Sequence, residues 1–306
     1  MTTRNAEGDT ISADVLVARS DRGAVEVDGV RYRGAVLLRG TTGGVTAVNR
    51  VDLEAYLRGV VPLEMGRGRA RSDMEAMKAQ AVAARTFAVR HLGRRGHLGF
   101  DLFGSVLDQA YGGAGAEDAR ATEAVEATRG EVLMYGGQVI EAYYHASCGG
   151  RTAAVEEVWN AAPRPFLRSV SEAKPGGGWY CEGSGGLRWT ETWDEPALLE
   201  LVRGTVLAGD LRRDLTRVDS LAVTRRSSSG RVAELTFWTN LGEQRVRSDS
   251  IRWVLRPEPD RILGSTDFEL ETRGDERVIE LIVNGTGRGH GVGLCQAGAL
   301  GRARSG

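Results

Sequence analysis

Short alternating segments dominate the first fifty residues. Apolar and polar residues alternate over 13–18, 24–28, 31–38 and 45–49, and glycines or Asp-Gly pairs separate these runs. Alternation with a period of two places the apolar side chains on one face of a strand, and such turn residues connect short strands. The pattern therefore predicts a small β layer at the start of the chain.

The strongest helical periodicity lies between residues 72 and 92. Ser72 and Glu75 match a capping box, which predicts that Ser72 is the N-cap residue of a helix. This helix has an apolar face, and the residues next to that face are mostly Ala and Val. The helix is therefore predicted to be buried on nearly all sides. A shorter helix is predicted over 51–61, just before Pro62. Apolar residues at helical spacing form the face of the longer helix: Met74, Met77, Ala81, Ala84, Ala88 and Leu92.

The rest of the chain mixes short helices with hairpins. Periodicity and turn residues predict helices over 115–129, 195–203 and 249–255, and hairpins over 131–144 and 232–247. The expected fold class is α+β, a mixed β-rich chain with a central buried helix and a smaller second subdomain. We expect four segments: an N-terminal β lead-in (1–50), a catalytic core (51–194), a smaller α/β subdomain (195–262), and C-terminal strands with a glycine-rich motif that returns to the core (263–306).

Charge and hydropathy exclude several classes of protein. The 40 basic and 41 acidic residues leave a formal net charge of -1, which argues against a strongly basic nucleic-acid-binding protein, so we expect no nucleic-acid partner. No run of 18 apolar residues occurs, so no segment of the sequence is predicted to span a bilayer. The first five residues do not form a signal peptide, and we expect any export signal or lipid anchor to be absent from this chain.

The candidate acid is Glu64, which follows the apolar run Val60-Val61-Pro62-Leu63. Apolar surroundings favour the neutral form of a carboxyl group, which suits a general acid near neutral pH. Lys78 stands out because nearly all basic residues are Arg. On the helix that follows, Lys78, Gln80 and Arg85 are predicted to hold a substrate or to orient that acid.

Two of the four histidines lie in glycine-rich turns, where the backbone can approach a ligand closely. His145 and Ser147 precede Gly149-Gly150, and His290 lies within 285–293. The glycine spacing of segment 285–293 is similar to that of a phosphate-binding loop. The segment lacks the Lys-Ser/Thr ending and a surrounding strand–loop–helix unit, so nucleotide binding is rejected. A serine hydrolase is also rejected, because the sequence has no G-x-S-x-G elbow.

The three cysteines leave several alternatives open. Cys148 and Cys181 could form a disulfide in an oxidising compartment, with Cys295 left over. All three could equally be small buried hydrophobic residues. The H-x-x-C spacing also permits a metal site, whose candidate ligands are His145, Cys148, His290 and Cys295.

Six collinear motifs together resemble the stage II sporulation protein D and amidase-enhancer family. They include the glutamate-bearing stretch 48–65, the helix 75–87 and the Asp108-Gln-Ala-Tyr111 segment. The second half contributes the His145 to Thr152 motif, Glu157-Val-Trp159, and Gly287 to Gly298. The motifs cover most of the chain in the family's order, with a weaker match from about 195 to 262.

The resemblance implies a peptidoglycan lytic transglycosylase. It implies that Glu64 protonates the glycosidic oxygen between N-acetylmuramic acid (MurNAc) and N-acetylglucosamine (GlcNAc), and that its conjugate base then takes the proton of the muramyl C6 hydroxyl. The expected partners are glycan strands stripped of stem peptides, and an N-acetylmuramoyl-L-alanine amidase; the expected location is extracytoplasmic. The candidate substrate-binding residues are Lys78, Gln80, Arg85, Gln109, Tyr111, His145, Ser147, His290 and Gln296.

Several departures from the family pattern narrow these expectations. Zinc-binding relatives carry a His and Cys cluster before the Gln-x-Tyr segment, whereas this chain has His97 and no cysteine there, so neither a metal nor another cofactor is carried over. Cys295 replaces the usual serine before Gln296, and the chain stops at Gly306, where members usually continue with a further helix. Two alternative functions stay open: a non-catalytic wall-binding protein that stimulates an amidase, and a glycosidase that hydrolyses another polysaccharide.

Overall fold

A computed structural model describes residues 2–4, 10–21, 23–41, 43–183, 188–205 and 211–306. The chain divides into two compact units, Met1–Ala142 and Tyr143–Gly306. Both units contain helices and strands, so the predicted α+β class is confirmed. The division into four segments stays a prediction. Among the described residues, no helix combines the length and apolarity that crossing a membrane requires.

Small antiparallel sheets open the first unit, and strands occur in each predicted segment. The single strand predicted over 31–38 is instead two strands, Val30–Tyr32 and Ala35–Thr41, separated by a bend at residues 33–34. The central strand of a three-stranded sheet, β6, pairs with β3 and β7, while β1–β2, β4–β5 and β8–β9 form separate pairs. The strands are β1 (Thr2–Arg4), β2 (Thr10–Ser12), β3 (Val15–Arg19), β4 (Val25–Val27), β5 (Val30–Tyr32), β6 (Ala35–Thr41), β7 (Gly44–Arg50), β8 (Met134–Tyr135) and β9 (Gln138–Val139).

Three helices follow and cover the predicted helical segments with different bounds. They are α1 (Leu53–Met65), α2 (Met74–His91) and α3 (Ala119–Ala127), with 3-10 turns over Arg71–Asp73, Gly96–Leu98 and Gly113–Ala116. Asp52 caps the N-terminus of the first helix, and its carboxylate accepts hydrogen bonds from the amides of Glu54 (3.0 Å) and Ala55 (3.2 Å). It continues through Pro62, which the sequence placed outside it.

The predicted capping box at the start of α2 is wrong. Ser72 lies in the 3-10 turn, and the α-helix begins two residues later, at Met74. The Glu75 carboxylate accepts a hydrogen bond from Lys78 Nζ (2.8 Å), a side-chain pair one turn apart on the helix surface. As predicted, α2 is buried on most of its faces.

A buried ion pair joins the three helices. Arg85 of α2 donates from Nε to Glu54 Oε1 (2.9 Å) and from Nη2 to Glu54 Oε2 (2.7 Å). Its Nη2 also donates to the carbonyl of Val125 in α3 (3.1 Å), and its Nη1 to the carbonyl of Glu131 (3.2 Å). The guanidinium is 1% exposed. Because each nitrogen has an acceptor, the charge is compensated where water cannot reach it.

The described residues of the second unit form two three-stranded antiparallel sheets and one short parallel pair. Their orders are β11-β16-β15 and β12-β13-β14, and β10 pairs with β17. The elements are β10 (Tyr144–His145), α4 (Val155–Trp159), β11 (Arg188–Asp194), α5 (Glu195–Thr205), α6 (Leu211–Asp214), β12 (Val218–Arg226), β13 (Val232–Thr239), β14 (Gly242–Arg247), α7 (Ser250–Val254), β15 (Phe268–Arg273), β16 (Glu280–Thr286), β17 (Leu294–Cys295) and α8 (Gln296–Ser305).

The main core of the second unit lies between α5, α7 and these sheets. It contains Trp193, Leu198, Leu235, Phe237, Ile251 and Leu281 among its buried residues. Gly285 permits the close approach of Trp189, which packs against this core, because a Cβ atom at Gly285 would lie 2.0 Å from the Trp189 ring. The indole of Trp189 in turn donates to the carbonyl of Gly287 (2.9 Å).

The ion pair can be tested with Arg85→Met, which leaves the Glu54 carboxylate buried without its cation. We expect the free energy of unfolding of the first unit to fall by about 3–5 kcal/mol. Urea unfolding followed by far-ultraviolet circular dichroism measures the loss. All six tryptophans lie in the second unit, so tryptophan fluorescence in the same samples shows whether the effect is local.

The double variant Glu54→Leu/Arg85→Met is the matched control, because it removes both charges. It should recover a substantial part of the stability that the single variant loses. A double variant that is less stable than Arg85→Met would contradict the ion-pair explanation.

A second prediction concerns Gly59 of α1, where a Cβ atom would lie 2.7 Å from the Tyr111 ring and 2.8 Å from the Gly113 carbonyl oxygen. Although alanine is the better helix former, we expect Gly59→Ala to destabilise the first unit by about 1–3 kcal/mol through this clash. Gly204 of α5 has no atom within 4 Å of the same position. There, Gly204→Ala should stabilise the chain by up to about 1 kcal/mol. Equal effects of the two variants in urea unfolding would refute this prediction.

Candidate functional site

The candidate acid lies in the last turn of α1. The Glu64 side chain is partly buried, and its Oε1 atom accepts a hydrogen bond from the backbone amide of Ala110 (3.0 Å). Val60, Val61 and Met65 of the same helix are buried. The carboxyl group therefore stands at the edge of an apolar layer, with one oxygen held by a neutral donor.

The segment that supplies this amide runs along α1 at close range. The amide of Gly112 donates to the carbonyl of Gly59 (3.2 Å), and the rings of Tyr111 and Tyr56 lie 4.9 Å apart. The absence of a side chain at Gly59 permits this approach. The contacts of the neighbouring Tyr111 and Gly112 with α1 thus hold the Ala110 amide beside Glu64.

Gln109 and Tyr111, both predicted to bind substrate, are engaged inside the first unit. Gln109 is 0% exposed, accepts from the Tyr56 hydroxyl (3.0 Å) and donates to the carbonyl of Ala84 (3.1 Å). The Tyr111 hydroxyl donates to Asn49 Oδ1 (2.8 Å). Burial raises the pKa of both tyrosines, which keeps their hydroxyls protonated as donors. These contacts position the segment; substrate binding by the two residues stays a prediction.

Asp108 of the same segment is held by a cation. Both of its oxygens bind the Arg95 guanidinium at 2.9 Å, and its Oδ2 atom accepts from the Phe103 amide (2.7 Å). The carboxylate is 4% exposed. This arrangement closes the loop that precedes Gln109.

The three predicted site residues of α2 have different surroundings. Lys78 is one third exposed and pairs with Glu75, whereas Gln80 is fully buried. Arg85 binds Glu54, a carboxylate that the sequence analysis missed. Glu54 lies three and seven positions before the buried Leu57 and Val61, so its place in an apolar stripe is the signal that could have revealed it. Substrate contact by Gln80 and Arg85 stays a prediction.

The remaining predicted residues come together in the second unit. His145 and Cys295 are register partners in the parallel pair β10–β17, and Gln296 begins α8 directly afterwards. The backbones of Ser147 and Arg288 exchange two hydrogen bonds (3.0 and 2.8 Å), which brings the glycine-rich segment alongside. The His145 and His290 rings consequently lie 5.6 Å apart.

Both histidines of this group are neutral. Burial lowers the pKa of His145 well below its usual value, and the neighbouring His290 adds to the effect. Burial, followed by the charge of Arg252, lowers the pKa of His290 to about 3. His145 donates from Nδ1 to the carbonyl of Val292 (3.1 Å), while His290 Nδ1 accepts from the Val292 amide (3.1 Å). The two imidazoles therefore carry their protons on different nitrogens.

The three cysteines are all buried in the second unit, and none is joined in a disulfide. Ligand atoms of His145, Cys148 and Cys295 lie within 4.8 Å of one another. In the part of the chain that the structure describes, His290, a fourth candidate metal ligand, is outside this group. Cys181, which no motif marked as a ligand, lies next to Cys148, with 3.8 Å between the sulfur atoms.

A cavity of about 920 Å³ opens elsewhere in the second unit, lined by Glu157, Trp159, Ser228, Asp249 and Trp253 among others. Glu157 accepts from the hydroxyls of Ser228 and Ser229. Burial raises the pKa of Glu157, but these hydroxyls outweigh it, so the net shift is downward. A carboxyl group in this state does not suit a general acid. Trp159 packs on His290, with 4.8 Å between the rings.

Comparison with known proteins agrees with the motifs. The family model described as stage II sporulation protein matches residues 41–135, and a model for a domain of unknown function matches residues 177–293. An uncharacterised protein of Brachyspira hyodysenteriae is 32% identical over 286 residues, which are 91% of this chain and 68% of that protein. Stage II sporulation protein D of Bacillus subtilis is 28% identical over 85% of this chain and 71% of its own length.

The amidase enhancer of Bacillus subtilis is also similar, at 28% identity over 82% of this chain. The match spans 38% of the length of that relative. Stage II sporulation protein D of Bacillus amyloliquefaciens is 30% identical over 83% of this chain and 69% of its own length. Because the other three matches extend over most of this chain and over 68–71% of each relative, the chain belongs to the stage II sporulation protein D family.

Proposed function

We propose that this chain is a lytic transglycosylase that cleaves the bond between MurNAc and GlcNAc in peptidoglycan glycan strands. Glu64 acts as its acid and base. The observation that carries this proposal is the position of Glu64, half-buried beside apolar residues, with one oxygen oriented by the Ala110 amide. Family membership supports an extracytoplasmic, cell-wall role.

In the first step, protonated Glu64 gives its proton to the glycosidic oxygen as the bond to the muramyl C1 breaks. The resulting carboxylate then accepts the proton of the muramyl C6 hydroxyl, whose oxygen bonds to C1 and closes a 1,6-anhydro ring. No water is consumed, and Glu64 ends protonated as it began. The Ala110 amide supports the intermediate state, because a hydrogen bond to a carboxylate oxygen is stronger when that group is charged.

The proposed reaction needs only one carboxyl group, and Glu64 supplies it. A hydrolase of the usual kind needs a second carboxylate to activate water or to form a glycosyl intermediate. The nearby Asp108, three residues from Tyr111, is bound to Arg95 on both oxygens and to the Phe103 amide. Those contacts leave it poorly suited to that second role.

The other candidate residues then fall into two groups. Gln109 and Tyr111 hold the segment beside Glu64, and Lys78 offers a partly exposed cation on α2. In the second unit, His145, Ser147 and Gln296 are 4–7% exposed, and together with His290 they are further candidates for contact with glycan strands. The partners in this proposal are glycan strands stripped of stem peptides and an N-acetylmuramoyl-L-alanine amidase that strips them.

A second candidate function is a non-catalytic, wall-binding stimulator of that amidase. Similarity to the Bacillus subtilis amidase enhancer favours it. Such a protein would bind glycan strands and leave them intact.

The experiment is mass spectrometry of peptide-free glycan strands incubated with wild-type chain and with Glu64→Gln. We expect fragments that end in 1,6-anhydro-MurNAc from the wild type, and a loss of at least about 100-fold in their rate of formation with the variant. Glu123→Gln is the matched control, because Glu123 of α3 is a half-exposed carboxylate paired with surface arginines. It should cleave at the wild-type rate.

Other outcomes would favour a different reaction, function or catalytic residue. Fragments that carry an added water would indicate hydrolysis at the same site. Intact strands that still bind wild-type protein would support the non-catalytic function. Equal cleavage by wild type and Glu64→Gln would remove Glu64 from the mechanism.

A further inference from the structure

Three thiols and one imidazole converge in the interior of the second unit. We name Cys148, Cys181 and Cys295 the cysteine cluster. Its members are 0–2% exposed, and His145 beside them is 4% exposed. The contributing segments are far apart in the sequence, so the fold alone brings them together.

Two backbone arrangements deliver these side chains. Pairing of β10 with β17 places His145 opposite Cys295, and the turn after β10 supplies Cys148. Cys181 lies in the 3-10 turn Tyr180–Gly183, which packs on α8. Gly301 of α8 permits that contact, because a Cβ atom there would lie 1.9 Å from the Tyr180 carbonyl oxygen.

The distance between two of the sulfur atoms matches that in a tetrahedral metal site. The sulfur atoms of Cys148 and Cys181 are 3.8 Å apart. Two sulfurs bound to one tetrahedral Zn²⁺ at about 2.3 Å lie about 3.8 Å from each other. The ligand atoms of His145, Cys148 and Cys295 already lie within 4.8 Å of one another, and Cys295 also interacts with Cys181.

The imidazole is in the form that binds a metal. His145 Nδ1 donates its proton to the Val292 carbonyl (3.1 Å), so Nε2 carries a lone pair. Among the described residues, this buried Nε2 atom has no hydrogen-bond partner. A histidine ligand of Zn²⁺ is typically oriented by such a bond from its other nitrogen.

Backbone amides point at two of the sulfur atoms. Cys295 Sγ accepts from the amides of Cys148 (3.2 Å) and Gly298 (3.3 Å), and Cys148 Sγ accepts from Gly150 (3.4 Å). The Gly298 donor belongs to the first turn of α8, where the helix dipole favours a negative charge. These donors stabilise thiolates more than they stabilise thiols.

A buried cation completes the charge balance. Arg231 is 2% exposed and donates to the carbonyl of Cys148 (2.7 Å). In the described part of the chain no carboxylate forms an ion pair with it, and its Nε and Nη1 atoms have no hydrogen-bond partner. Zn²⁺ with three thiolates and a neutral imidazole carries a net charge of −1. Such a complex would add to the effect of Asp267 and Glu157, whose nearby charges also favour the buried guanidinium.

We propose that the cysteine cluster and His145 bind one Zn²⁺ ion in a closed, structural site. The ligands are the three sulfur atoms and Nε2 of His145. Binding releases three thiol protons and involves no oxidation or reduction. The family resemblance carried over no metal, but the sequence left a metal site at the cysteines open. This proposal takes that alternative, with Cys181 in place of His290 as a ligand, and it concerns a place other than the segment before Gln109.

The alternative is a Cys148–Cys181 disulfide, which would leave Cys295 and the His145 lone pair without a role. It also requires an external oxidant that takes two electrons. The distances, the orientation of the imidazole and the buried guanidinium all favour the cation instead.

The test uses the full chain without an affinity tag that binds metals, purified with a phosphine reductant. We expect one Zn²⁺ per chain by plasma mass spectrometry after desalting. Titration of the zinc-free chain with Co²⁺ should saturate at one equivalent and give thiolate-to-cobalt charge-transfer bands with intense visible bands of tetrahedral Co²⁺. Added Zn²⁺ should abolish these bands.

Variants identify the ligands. Cys181→Ser and His145→Gln should each weaken Co²⁺ and Zn²⁺ binding at least about tenfold. Ser147→Ala changes the same motif without removing a ligand, so it should retain one Zn²⁺ per chain.

Removal of Zn²⁺ from the wild type by a chelator should lower the midpoint of its urea unfolding followed by tryptophan fluorescence, which reports the second unit. The wild-type titration stands even if a variant fails to fold.

Three results would overturn the proposal. The first is a reduced wild-type chain that holds no Zn²⁺ and gives no thiolate bands with Co²⁺. The second is undiminished binding by both Cys181→Ser and Cys295→Ser. The third is a Cys148–Cys181 cross-link in peptides from the protein isolated without reductant.

Discussion

The first unit depends on the buried guanidinium of Arg85. A charge with 1% exposure must find acceptors within the protein, and those available come from α1, α3 and the chain just after α3. Satisfying this one group therefore fixes the position of α1 against the other helices. Because Glu64 lies in the last turn of α1, ten residues after Glu54, the ion pair also determines where the candidate acid stands.

Carboxyl groups in this chain differ by the partner that each has. Glu54 and Asp108 bind guanidinium groups, and Glu157 accepts from serine hydroxyls. The serine hydroxyls lower the pKa of Glu157. Glu64 accepts from a backbone amide and has buried apolar residues beside it. In the proposed mechanism, Glu64 carries a proton and then loses it in each cycle.

Local patterns predicted the elements, and tertiary contacts determined their ends and partners. The hairpin of β13 and β14 was predicted over its observed range, because alternation and turn residues are local signals. The first helix continues past its predicted end at Pro62, where it packs against the 110–113 segment. Motif reasoning placed Arg85 near Glu64, but not its pairing with Glu54. The position of Cys181 depends on the packing of its turn on α8, which spacing in the sequence does not encode.

The second unit raises a question of stability that the zinc proposal answers. The parallel pair β10–β17 is two residues long on each side, and so short a pair contributes few hydrogen bonds. Three segments meet there, and they include the histidine motif and the glycine-rich motif. Backbone bridges such as Ser147–Arg288 also join them, and a further link would add to these against the entropy of the intervening chain. A metal bound by all three segments supplies that link, because its binding energy becomes available only when they are assembled.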